Sequence, residues 1–85
     1  MSRILLVEDE KYLAAATAEL LKQNFYAVDV VYDGQDGMDY GATGLYDLII
    51  LDIMLPKQDG LTVLSRLRKQ GIQVPVLFLT AKSEL

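Results

Sequence analysis

Four short apolar runs limit what this chain can become. They are residues 3–7 (RILLV), 27–32 (AVDVVY), 47–51 (DLIIL) and 74–79 (VPVLFL). The first, third and fourth are nearly continuous in valine, isoleucine, leucine and phenylalanine. Such runs suit strands covered on both faces, as in a parallel sheet. Asp29 interrupts the second run, which places that strand at an edge. Pro75 has no N–H to give, so its strand starts or borders there.

Helical patterns separate the runs. Leu13, Ala16, Leu20 and Leu21, with Thr17 beside them, form one stripe that Asn24 can close. Leu61, Leu64 and Leu67 with Val63 form another, ended by Gly71. Residues 34–45 are weaker. Met38, Ala42 and Leu45 share a face, but Gly37, Gly41 and Gly44 each cost up to about 1 kcal/mol against alanine. Asp33 or Asp36 can cap this segment, which is expected to be short or frayed. The order is β-α-β-α-β-α-β with a stub from 82 to 85. It predicts an α/β domain, or part of one, with right-handed crossovers and helices on both sheet faces. Tyr26, Tyr32, Tyr40 and Tyr46 read as half-buried packing residues.

Composition removes several chemistries. With no cysteine there are no disulfides, no thiol catalysis and no cysteine zinc site. With no histidine the commonest general base is missing. The net charge of -4 comes without a basic stripe, so this segment is not expected to bind nucleic acid. No apolar run approaches the length of a membrane span, about 18 residues or more. No signal-peptide pattern opens the chain, and a cytoplasmic location is expected.

Parallel strands bring their C-termini to one rim, where ligands bind. Glu8, Asp9 and Glu10 follow the first strand, Asp52 the third, and Thr80 and Ala81 the fourth. If strands one and three are neighbours, about 4.8 Å apart, Asp9 and Asp52 face one small volume with Glu8 close by. Clustered carboxylates are tolerated best around a cation. Oxygen ligands alone favour magnesium or manganese over zinc. A carboxylate in such a place can accept a phosphoryl group, with the Thr80 hydroxyl and the Ala81 N–H as donors to its oxygens. The plainer reading stands beside this one. Asp9 or Glu10 can be first-turn acids of helix one, Asp33-Gly34 and Asp59-Gly60 can be turns, and Leu55 can be loop packing.

The runs ILLVEDE (residues 4–10), LIILDIMLPKQDG (48–60) and VPVLFLTA (74–81) resemble the receiver (CheY-like) domain of bacterial two-component response regulators. The phrase around Asp52, with Met54, Pro56 and Gly60, is similar to the OmpR/PhoB-like group of transcription factors. The resemblance implies a flavodoxin-like doubly wound sheet of order 2-1-3-4. It implies Asp52 as phosphoacceptor from a sensor histidine kinase. It also implies a magnesium ion, or manganese, held by Asp9, Asp52 and the Met54 backbone carbonyl. Glu8 would act through a water or in support. Thr80 would be the switch hydroxyl, with Ala81 beside it, and Pro56 and Gly60 would shape the loop after strand three.

Against that family the chain reads as the N-terminal part of a receiver, residues 1–85, truncated after the fourth strand. Strand five, helices four and five, and the lysine after strand five are absent, so phosphorylation and signalling are expected to be impaired. The uncovered strand-four edge implies a homodimer or a complementing fragment. Two other functions compete. One is a magnesium-dependent phosphatase with an aspartyl-phosphate intermediate, but Met54 stands where its second aspartate belongs. The other is an engineered or truncated fold fragment with an assembly role and no activity.

Overall fold

In the computed structural model, which describes residues 2–79, all four runs become strands of one sheet. The elements are β1 (Arg3–Val7), α1 (Lys11–Gln23), β2 (Ala27–Val31), α2 (Gly34–Gly41), β3 (Leu48–Asp52), α3 (Gly60–Lys69) and β4 (Val76–Leu79). The order is β2-β1-β3-β4 with every pair parallel. This is the expected flavodoxin-like order, with β2 at an edge. Asp29 is satisfied there by Tyr46, whose hydroxyl donates to it at 2.6 Å.

The two-residue period of the strands sorts the core. Leu5, Val7, Val31, Ile49 and Leu51 meet Met38 of α2, Tyr46, and Val63 and Leu67 of α3. Ile4, Leu6 and Ile50 meet Ala14 and Ala18 of α1. Strand ends differ slightly from the sequence reading. β3 starts at Leu48; just before it Asp47 meets Arg3 twice, its N–H donating to the Arg3 carbonyl at 2.8 Å and its carboxylate accepting the Arg3 N–H at 2.8 Å. β4 starts at Val76. Pro75 borders it, lacking a donor but accepting the Ile49 N–H at 3.0 Å.

α1 turns a different face inward than most of its leucines suggest, whereas α3 keeps its expected stripe except for Leu61. The inner side of α1 is Ala14, Thr17, Ala18 and Leu21, while Leu13 and Leu20 stand 43% and 60% exposed. Alanine has the smaller side chain, so the alanine face lets α1 lie close on β1 and β2. In α3, Val63 and Leu67 are buried and Leu61 is turned outward. α2 is short, as expected, and ends at Gly41, which leaves Leu45 exposed in the following loop. Its glycines have a packing reason. A Cβ on Gly37 or Gly41 would stand 3.0 Å from Val7 Cγ1 or 3.1 Å from Ile49 Cδ1. Of these four tyrosines, Tyr26, Tyr32 and Tyr40 are half-buried as expected, whereas Tyr46 is buried.

Candidate functional site

Val7 lies in register with Leu51, so the chain leaves β1 at Glu8 beside Asp52, the last residue of β3. Glu8, Asp9 and Asp52 each offer a carboxylate oxygen, and the three oxygens lie within 4.8 Å of one another. Glu8 and Asp52 are only 2% and 4% exposed, whereas Asp9 is exposed. Backbone geometry fixes Glu8. Its N–H donates to the Val31 carbonyl at 3.0 Å, and its Oε2 accepts the Glu10 N–H at 3.0 Å. Glu10 caps α1 by accepting the Leu13 N–H at 2.9 Å. Of the two acids that could have served as cap, Glu10 has that role and Asp9 joins the cluster.

Glu8 Oε1 and Asp52 Oδ1 are buried without a hydrogen-bond partner among the described residues. An unsatisfied buried acceptor of this kind costs about 1–3 kcal/mol, and more when charged. Burial pushes the Glu8 carboxyl above its ordinary value; the Glu10 N–H opposes this, and the charges of Asp52 and Asp9 add to it. Three carboxylates around one point, two of them with orphaned oxygens, fit a hard divalent cation. The donor set holds no nitrogen or sulfur, so magnesium or manganese suits it better than zinc.

The loop after β3 forms the next wall. Residues 53–56, with Asp9 and Leu61, line an open cleft of about 490 Å³ that includes Met54. Gly60 closes the loop. Its N–H donates to the Ile53 carbonyl at 2.7 Å, and a Cβ there would stand 2.3 Å from the Asp52 carbonyl oxygen. Leu55 packs against the core as expected of a loop residue. The two Asp-Gly pairs are not simple turns. Asp33 and Asp59 cap α2 and α3, accepting the Asp36 and Thr62 N–H groups at 2.8 Å each, and a tightly packed glycine follows each. The Asp36 N–H, and then Lys57 at 3.5 Å, hold the Asp33 carboxyl below its usual range. Two features had no signal in the apolar pattern. One is the contact of Gly34 with the Gln58 backbone; the other is Lys57 at φ 72°. Thr80 and Ala81 lie outside the described residues.

Residues 4–85 match the family model of the response regulator receiver domain. The transcriptional regulatory protein DltR of Streptococcus agalactiae is 56% identical over 82 residues, which are 96% of this chain and 37% of DltR. The receiver domain of a Francisella response regulator superposes with a TM-score of 0.92 at 32% identity, over 99% of this chain and 69% of that one. The Thermotoga maritima response regulator TrrA, in complex with Mg2+ and BeF, gives 0.90 at 36% identity over 98% and 72%. TrrA is also known in complex with the histidine kinase ThkA. The chain thus spans little more than a third of DltR. No described helix is long and apolar enough to cross a membrane.

Proposed function

The chain belongs to the response regulator receiver domain family, in its OmpR/PhoB group, and from that premise we propose that it accepts a phosphoryl group on Asp52 from a sensor histidine kinase. One observation carries the reading: Glu8, Asp9 and Asp52 converge on one cation-sized point, with an orphaned oxygen on each of the two buried members. The TrrA complexes with Mg2+ and BeF and with ThkA support the cation and the kinase.

Asp9, Asp52 and the Met54 backbone carbonyl would hold magnesium, with manganese as the substitute and Glu8 acting through a water or in support. When bound, the ion offsets negative charge on the carboxylates and on the phosphoryl group. In the transfer, an Asp52 carboxylate oxygen attacks phosphorus in line. The bond from phosphorus to the kinase imidazole nitrogen breaks, and its electron pair leaves with the imidazole. An acyl phosphate on Asp52 results. The Thr80 hydroxyl and Ala81 N–H would donate to its oxygens.

Residues 1–85 are read as the N-terminal part of a receiver whose parent is a DNA-binding transcriptional regulator; the partial coverage of DltR and of the receiver structures supports this. Among the described residues β4 pairs only with β3, so its outer edge offers unpaired backbone groups. A complementing segment or a second copy would cover that edge. The test is intact-mass analysis of the full chain after treatment with acetyl phosphate, with and without magnesium. Weak labelling, of at most one phosphoryl group, is expected on the unmutated chain with magnesium, in keeping with the missing lysine, and none on Asp52→Asn. Equal labelling of the two proteins would end the assignment.

A further inference from the structure

We propose that Gly34 is a positioning residue for the cation site: its missing side chain lets the first turn of α2 clamp the loop of residues 53–59 and so fixes Met54 beside Asp9. The inference rests on the cation site proposed above. An ideal Cβ on Gly34 would stand 1.8 Å from the Gln58 carbonyl oxygen and 2.7 Å from its carbon. The obstacle is backbone, which cannot rotate aside. Gly34 is not among the residues with positive φ, so the position requires space, not conformational freedom.

The contact is bonded as well as close. The Gly34 N–H donates to the Pro56 carbonyl at 3.0 Å. On one side Lys57 Nζ lies 3.5 Å from Asp33 Oδ2. On the other, Gln58 Nε2 donates to Gln35 Oε1 at 3.0 Å, and Arg66 of α3 donates to Gln58 Oε1 at 3.0 Å. Residues 33, 34 and 35 therefore each hold one residue of the 56–58 segment. That segment has a tendency to resist. Lys57 sits at φ 72°, a left-handed conformation disfavoured for any residue with a Cβ. Such a conformation persists only where its surroundings hold it. Met54 lies two residues before Pro56 on the same wall as Asp9, so release of the clamp frees the wall.

Calorimetric titration of the full chain with magnesium, comparing the parent with Gly34→Ala and Gly41→Ala, tests this. Gly34→Ala is expected to weaken magnesium about tenfold, the scale of a lost supporting contact behind a metal ligand. Gly41→Ala strains the same helix but meets only side chains, with Ile49 Cδ1 at 3.1 Å, and leaves the affinity unchanged. Equal affinities for the parent and Gly34→Ala overturn the inference while the proposed function stands. No binding by the parent overturns both. Should Gly34→Ala not fold, hydrogen exchange in the parent decides. Coupling between sites is reciprocal, so saturating magnesium must slow exchange of the Gly34 N–H. An unchanged rate overturns the inference.

Discussion

On one face of the sheet, α2 and α3 bury Leu5, Val7, Ile49 and Leu51 completely; on the other, α1 is the one helix among the described residues that covers Ile4, Leu6 and Ile50. The difference grows toward the far edge. Val76 and Phe78 of β4 pack on the two-helix core, whereas Leu77, on the opposite side of the same strand, is 53% exposed. Leu48, Leu79, Val28 and Val30 on the α1 side are only partly buried. One helix cannot span four strands. The two-helix face therefore carries most of the hydrophobic stabilisation, and the one-helix face keeps apolar surface available for a further contact.

The largest effect that can break this comparison is a truncation on each face. Leu67 is fully buried between α3 and the sheet, so Leu67→Ala is expected to cost about 3 kcal/mol, from lost transfer energy and a residual cavity. Leu20 stands outward on α1, so Leu20→Ala should fall within about 0.5 kcal/mol of the parent. Urea unfolding of both variants measures the difference. A loss at Leu20 that rivals the loss at Leu67 would show that something covers α1 in solution.

A smaller effect sharpens the same contrast. Burial in the two-helix core, and then the bond to Asp29, push the Tyr46 hydroxyl up to about 12 from 10.0. Tyrosine is neutral below its pKa, so the folded state keeps its proton where the unfolded chain has begun to lose it. This contribution is intact below pH 10 and is lost as pH rises through about 12. Tyr46→Phe has no such proton. The stability curves of parent and variant should converge across that window, with the parent falling faster. Parallel curves would mean that Tyr46 is not held as the structure shows.

The one-helix face is also where the sequence misled. The expected stripe of Leu13, Ala16, Leu20 and Leu21 with Thr17 overlaps the observed inner line of Ala14, Thr17, Ala18 and Leu21 only at Thr17 and Leu21, and periodicity alone cannot choose between the two faces. The choice depends on how closely α1 approaches the sheet, which is a property of the partner surface. Leu61 misled in the same way, since Val63 and Leu67 already fill the space under α3. The acidic rim was easier to read, because strand ends of a parallel sheet converge wherever the order is known, and the motif around Asp52 supplied the order. The sequence did not show that Glu10, and not Asp9, caps α1, since both acids occupy positions compatible with a cap. Nor did it show the Gly34 contact, which joins a helix start to a loop more than twenty residues away.

The smallest effect compares the ends of α1 and α3, which close in the same way. After α1, the Tyr26 N–H returns to the Leu21 carbonyl at 3.2 Å and the Phe25 N–H to Lys22 at 3.0 Å. After α3, Ile72 returns to Leu67 and Gly71 to Arg68, both at 3.0 Å. This double return needs one left-handed residue. It is Gly71 at φ 82° on α3 but Phe25 at φ 70° on α1. Nothing lies within 4 Å of a Cβ added to Gly71, so Gly71→Ala should cost about 1 kcal/mol from backbone strain alone. Phe25 is 84% exposed, so its ring recovers little by burial. Phe25→Gly should therefore raise the urea midpoint, with a gain in unfolding free energy of about 0.5 kcal/mol, because relieved strain is partly offset by the extra freedom of glycine in the unfolded chain. A drop instead would mean that the ring is covered in solution, and the end of α1 would then join the contact surface of the one-helix face.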